Sequence, residues 1–251
     1  MQRIYLTDSN RREVETTINS ASVFEGKTEL ECEDLLFHPA GGGQPDDFGS
    51  VVVQGKTYNI AKLRKHKGAT RIVLDDDGTL ANETGFGETA LCLLDWKRRQ
   101  RLMRLHSAAH VLMASARKTV TGYIPSGMQI ADDLETAIIR FKRDQEPSKA
   151  QIEQIFLLAA EIVRGKHEIS SLQFPTLEAA QTEGKDLFRI DPAVQLKGEV
   201  RIVKINNIDF NPCGGTHVQN TIEIGNIELV SSKSVDQLTE IQYSVNPICA
   251  A

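Results

Sequence analysis

Cysteine is scarce in this sequence, and long apolar runs are missing. Four cysteines, Cys32, Cys92, Cys213 and Cys249, are scattered along 251 residues with no Cys-x-x-Cys pair. That spacing argues against a disulfide framework. Isolated cysteines are mostly small buried hydrophobes, the reading that fits Cys32 and Cys92, while Cys249 lies near an end expected to fray. No stretch approaches the ~18–20 consecutive apolar residues of a membrane span. The N-terminal "MQRIYLTDSNRREVETT" has no apolar core of the signal-peptide kind. The expectation is a cytoplasmic protein with no membrane association. Positive charge is not in excess either: the formal net charge is −5. This argues against wholesale coating of nucleic acid and leaves room for a local basic patch.

What is present suits a globular chain, 40% hydrophobic and 25% charged, long enough for one large core or two modest ones. Up to about Glu88 the sequence reads as short strands. "IYLTD", "VETTINSASVF", "KTELEC", "SVVVQG", "KTYNIAKLRK" and "TRIVLD" are broken by Gly, Asn and Asp. Such spacing predicts a small β-barrel-like domain over 1–88, with "GTLANETGFGET" as the join to a second unit over 89–251. There "ALCLLDW" reads as a strand leading into a long helical pattern, "KRRQRLMRLHSAAHVLMASARKTVTG", ended by Gly122. A second helix opens at Pro147 and Ser148, with Ser148 and Gln151 as a capping box, and closes at Gly165. Its apolar Ile152, Ile155, Phe156, Ala159, Ile162 and Val163 keep the 3.6-residue period. "ETAIIRFKRD", "EISSLQF", "EVRIVKINNIDFNP", "IEIGNIELVSSKSV" and "EIQYSVN" read as strands, with a short helix ending at Gly184. The fold class predicted is α+β, with a mainly antiparallel sheet in the second domain.

The chemistry gathers in two short stretches. "NPCGGTHVQN" sets Cys213 and His217 four residues apart around two glycines. "HSAAH" sets His106 and His110 four apart in the long helix, where they share one face with Leu102, Ala109 and Met113 and can converge on one ion. Either pair alone reads equally well as structural: two core histidines, or a turn that happens to hold a cysteine. Together they favour a metal, because borderline-soft Zn²⁺ prefers imidazole and thiolate. His38, His66 and His167 have no second histidine or cysteine at ligand spacing, and His38 reads as a surface histidine. Gly214 and Gly215 let the backbone turn so that thiolate and imidazole face one point. A catalytic zinc keeps three protein ligands and an open position, whereas four ligands close a structural site; the spacing leaves both open. Gly41, Gly42 and Gly43 are not a P-loop, since no Gly-Lys-Ser/Thr follows. They read either as a turn approaching a pocket or as a bare turn.

"DWKRRQRLMRLHSAAH" together with "CGGTH" resembles the editing domain of alanyl-tRNA synthetases. "FHPAGGGQPDDFG" is similar to the segment upstream of it in those enzymes and in free-standing AlaX proteins. The resemblance runs from about Leu30 to near the C-terminus and identifies the chain as similar to a medium-length, stand-alone AlaX protein. It implies ATP-independent deacylation in the service of translation fidelity: hydrolysis of mischarged seryl-tRNA(Ala), with glycyl-tRNA(Ala) as a second candidate. The chemistry is reasonable, since an apolar alanine pocket rejects an added hydroxyl poorly and a second site must supply the discrimination. The resemblance implies a zinc-dependent hydrolase with His106, His110 and Cys213 as firm ligands. His217 is then a fourth ligand or the catalytic group that positions water. Gly41, Gly42, Gly43, Gly214, Gly215 and Thr216 are the candidate substrate-binding residues. His38 stands where relatives often carry an aromatic, and "SSKSVDQLTEIQYSV" offers Lys233 where many carry a Gly-rich basic loop.

Arg99 and Lys233 are the candidate RNA contacts, Arg99 because it lies along the histidine stripe two turns earlier. Lys97, Arg101 and Arg104 are expected on a solvated opposite face, and Lys142, Arg143 and Lys166 are further candidates. Such contacts would make binding fall with salt. A non-catalytic tRNA- or synthetase-binding module with a structural zinc is the competing reading. A metalloprotease is disfavoured because Ser107, not Glu, follows His106.

Overall fold

The computed structural model describes residues 1–246, so Cys249 lies outside the described residues. The chain divides into two compact units, 1–41 with 45–100, and 42–44 with the chain from Arg101 onward. It is an α+β protein whose helices run among antiparallel sheets. Among the described residues no helix is long and apolar enough to cross a membrane.

The first unit begins with β1 (Gln2–Arg3) and α1 (Ile4–Thr7), one helical turn where a strand is predicted. The Thr7 hydroxyl donates back to the Ile4 carbonyl and the Asp8 carboxylate accepts from the Asn10 N–H, a local bonding pattern that competes with an extended backbone. Then come β2 (Glu13–Phe24), β3 (Lys27–Cys32), β4 (Asp34–Leu35), β5 (Gly49–Val53), β6 (Lys56–His66), β7 (Ala69–Leu74), the helical turn α2 (Leu80–Glu83) and β8 (Thr89–Leu94). Strand β1 pairs in parallel with β4, and the rest close a barrel in the order β2-β3-β7-β6-β5-β8. Alternate residues of these strands, among them Ile18, Leu30, Val51, Val53, Ile72, Leu74 and Cys92, fill its core. A division after Glu88 would remove β8, which pairs with both β2 and β5. The observed division therefore falls at Gln100, inside the next helix.

The second unit carries most of α3 (Trp96–Thr119), then β9 (Ile124–Ile130), β10 (Thr136–Lys142), α4 (Lys149–Arg164), β11 (Ile169–Phe174), α5 (Leu177–Gly184), β12 (Val200–Ile205), β13 (Asp209–Pro212), β14 (Asn226–Val235) and β15 (Leu238–Asn246). One sheet has the order β14-β15-β10-β9 and another β11-β12-β13, all antiparallel. Helix α4 has the capping box expected from Ser148 and Gln151 and ends at Gly165. Its Ile152, Ile155, Ala159, Ile162 and Val163 are buried, and Phe156 is half-buried. The run "EVRIVKINNIDFNP" is a hairpin rather than one strand. Asn207 takes a left-handed conformation (φ 58°), which asparagine tolerates better than most residues, and the chain reverses between β12 and β13.

Helix α3 departs most from expectation. From Leu102 to Ala116 it is buried all round except at half-buried Arg104 and Met113. Arg101 and Arg104 therefore do not form a wet face. Arg101 donates to the carbonyls of Leu134 (2.7 Å), Glu135 (3.0 Å) and Val245, and Arg104 to that of Ile224 (2.9 Å). Lys97 is exposed as predicted. Tyr243 ties β15 to the helix by donating to the Leu105 carbonyl at 2.7 Å.

Arg99 and His38, within the first unit, are also corrected. Arg99 is fully buried. Its guanidinium holds Asp47 at 2.9 and 2.5 Å and donates to the carbonyls of Ser9 (2.9 Å) and Leu36 (3.0 Å). With its donors spent on these partners it cannot contact a phosphate. His38 is buried, its ring edge-on to Tyr5 at 5.2 Å and its N–H donating to Asp47 at 2.6 Å. Arg99→Ala would strand the buried Asp47 carboxylate and should destabilise the fold by about 3–5 kcal/mol, read as a lower urea midpoint. A neutral result would show that Arg99 is not the structural ion described here.

Candidate metal centre

The two stretches singled out by sequence meet within the second unit. His106 and His110 sit one turn apart on α3, and Cys213 and His217 flank the turn after β13. One ligand atom from each, the four all buried or half-buried, lies within 4.8 Å of every other. The Cys213 Sγ is 3.3 Å from His106 Nε2 and 3.6 Å from His217 Nε2. A tetrahedral zinc with bonds of about 2.0–2.3 Å has ligand–ligand edges of roughly 3.3–3.8 Å. The group could therefore hold a metal ion, and one thiolate with three imidazoles is a donor set compatible with zinc.

Two residues that sequence reasoning left unassigned orient the rings. The Gln44 side-chain oxygen lies 2.8 Å from His106 Nδ1, and the buried Asp209 carboxylate 2.7 Å from His110 Nδ1. An acceptor at Nδ1 places the proton there and leaves Nε2 for the centre. Gln44 also accepts from the Thr216 N–H at 3.1 Å and donates to the Thr216 hydroxyl at 2.9 Å. Arg201 braces the turn by donating to the carbonyls of Cys213 (2.8 Å) and Gly215 (3.1 Å). Gln44 stood in the quoted "GGGQP" and Asp209 in "NIDFNP", but neither has a local signal. Each becomes a partner only across 62 and 99 residues of chain.

The glycines divide by role. A side chain at Gly215 would run into the His106 ring and Gln44. Gly43 has φ +81°, its carbonyl accepts from the Ile130 N–H at 2.8 Å, and a Cβ would meet the Met128 carbonyl. Both positions demand glycine because other chain comes too close. Gly42 and Gly214 line a cavity of about 410 Å³ that also touches His106, His110 and Cys213. Gly41 belongs to the first unit and lies beside Lys65, while Thr216 is buried against Gln44. Lys233 is exposed on β14 and pairs with Glu240 at 2.7 Å. Lys142 pairs with Asp191 at 2.7 Å, and Lys166 is exposed. Arg143 is buried and bonded to Thr239 and the Asp236 carbonyl, so it is no candidate for RNA.

Electrostatics within the cluster follow from crowding. Burial opposes a charged ring at His110, but its hydrogen bonds to Asp209 and Cys213 outweigh this and raise it to about 10. Burial likewise opposes a thiolate at Cys213, yet the charge of His106 and His217 and the ring hydrogen bonds hold that thiol well below its ordinary range. At His217 burial dominates. Cys213 pulls the other way, but His106 and His110 add their repulsion and the ring falls to about 3. Neighbouring imidazoles repel one another's charge, and the carboxylate beside His110 favours the charged ring there.

Residues 200–238, from β12 through the glycine turn to the start of β15, match the family described as the threonyl and alanyl tRNA synthetase second additional domain. Alanine–tRNA ligase of Methanobrevibacter smithii is 30% identical over 243 residues, 96% of this chain and 26% of its own length. That of Sulfurisphaera tokodaii is 26% identical over 253 residues, 99% of this chain and 26% of its own. That of Hyperthermus butylicus is 32% identical over 198 residues, 78% and 20%. The chain is a homologue of part of the alanine–tRNA ligases. It spans about a quarter of the length of the first two curated relatives, and the match is consistent with an AlaX-like homologue of their editing domain. If the group holds zinc, Asp209→Asn should weaken that binding by about 10–100-fold, measured by chelator competition. Unchanged affinity would remove Asp209 from the centre.

Proposed function

We propose that this chain hydrolyses the ester of mischarged aminoacyl-tRNA, seryl-tRNA(Ala) foremost and glycyl-tRNA(Ala) second, at a zinc ion held by His106, His110 and Cys213. The observation that carries the reading is a convergent thiolate–imidazole cluster opening onto a cavity, in a chain homologous to part of the alanine–tRNA ligases. The aminoacyl end enters that cavity, with Gly42 and Gly214 leaving its wall open at the cluster. Gly43, Gly215 and Thr216 fix the backbone around it, and Gly41 lies just before this stretch in the chain. The second unit is thus an editing domain.

Zinc, when bound, supplies carbonyl polarisation and a water brought toward ionisation near neutral pH. His106 and His110 are held in one tautomer by Gln44 and Asp209. His217 differs: its buried Nδ1 makes no hydrogen bond. A ligand histidine almost always donates its second nitrogen to an acceptor, so His217 is the least like a fixed ligand. It is read as the group that positions the attacking water. The water oxygen then bonds to the ester carbonyl carbon, the bond from that carbon to the ribose oxygen breaks, and the proton passes to the ribose. Lys233, exposed on β14, is the retained candidate for a phosphate contact.

The test is deacylation of Ser-, Gly- and Ala-tRNA(Ala) beside metal analysis. Expected are turnover of the seryl substrate, its loss on chelation, and recovery with zinc. His217→Ala should keep stoichiometric zinc and lower turnover by at least about 100-fold; loss of zinc would make His217 a fourth ligand. Tight zinc and RNA binding without turnover would favour a non-catalytic tRNA- or synthetase-binding module.

A further inference from the structure

Tyr123 follows α3 just before β9, its ring packed against Phe141 with centroids 5.2 Å apart. Its side chain lines the same cavity as His106, His110 and Cys213. The hydroxyl is shut off from solvent and makes no hydrogen bond to any described residue. Buried hydroxyls are nearly always satisfied, so one without a partner, on a residue that lines a cavity, needs a reason. Burial and the neighbouring Asp209 charge hold it as a neutral phenol, which can donate one hydrogen bond and accept others.

The surroundings narrow what that hydroxyl can receive. Met113, Pro125 and Met128 give the cavity apolar wall. The two Asp209 oxygens are already engaged by His110 and Asn211, at 2.7 and 2.6 Å. Arg117 stands 3.8 Å from the same carboxylate and also lines the cavity. A neutral ligand hydroxyl can pair with the phenol as donor or acceptor.

We propose that Tyr123 is a specificity-determining residue of this cavity, its phenol reserved for the side-chain hydroxyl of a bound seryl group. The assignment rests on the deacylase reading and adds which group tells serine from alanine or glycine. A site that offers a hydrogen bond to a substrate hydroxyl discriminates against the analogue lacking it, because its own polar group is then left unpaired.

The test uses two non-hydrolysable 3′-amide analogues, seryl-adenosine and alanyl-adenosine, titrated calorimetrically into the full zinc-loaded chain and its Tyr123→Phe variant. Wild type should prefer the seryl analogue. Tyr123→Phe should weaken seryl binding by about tenfold and leave alanyl binding within about twofold. Its melting temperature should stay the same or rise, because a hydroxyl without a partner stabilises nothing in the free fold. Unchanged seryl affinity, or equal loss for both analogues, overturns the assignment. A wild type that binds both analogues equally also overturns it and leaves the deacylase reading standing. A wild type that binds neither defeats the deacylase reading, and this assignment with it.

Discussion

Two buried hydrogen bonds decide what the cluster can be: Gln44 to His106 and Asp209 to His110. A neutral imidazole has two tautomers, and only the one protonated at Nδ1 turns the Nε2 lone pair toward Cys213. Remove either acceptor and that ring can rotate or present the wrong nitrogen. The two acceptors also serve the backbone. Gln44 clamps Thr216 in the turn that carries the thiol, so one side chain fixes a ring on α3 and the segment facing it.

Asp209 extends the same order outward. One of its oxygens accepts from Asn211, whose own side-chain oxygen accepts from the Arg189 N–H at 2.7 Å. The irregular segment near Arg189, which lines the cavity, is thereby tied to the carboxylate that orients His110. Helix α3 and the β12–β13 hairpin hold the ligand atoms, and a less regular stretch supplies wall. That arrangement places the four candidate ligand atoms on or beside regular elements and leaves part of the cavity wall to an irregular segment.

Several arginines are spent inside the fold. Arg99 neutralises Asp47, and Arg101, Arg104, Arg117 and Arg201 donate to carbonyl groups where backbone pairing stops. A guanidinium suits this work because five donors in a fixed fork can satisfy several acceptors at once. The densest basic run in the sequence, around Arg98 to Arg104, is therefore mostly architecture. Arg98 itself lies over the Phe48 ring, 4.0 Å from its centroid, and donates to the Asp46 carbonyl.

Local chemistry settled much of this protein from sequence. The barrel strands followed from β-rich runs broken by Gly, Asn and Asp, α4 from its capping box and apolar period, and the two pairs that could hold a metal from spacings that any helix or glycine turn would honour. What failed were inferences needing knowledge of what lies across the chain. Arg99 and Arg143 look like solvent cations until a buried partner is seen, "IYLTD" looks like a strand until its hydroxyl and carboxylate bonds are drawn, and His38 looks exposed until Tyr5 covers it. Gln44, Asp209 and Tyr123 carried no sequence signal, because a tautomer lock or a hydroxyl without a partner is a relation between remote residues. Spacing along the chain determined which atoms could bind an ion together; only tertiary packing decided which way those atoms point and what stands beside them, since direction and burial are set by neighbours that sequence order does not place.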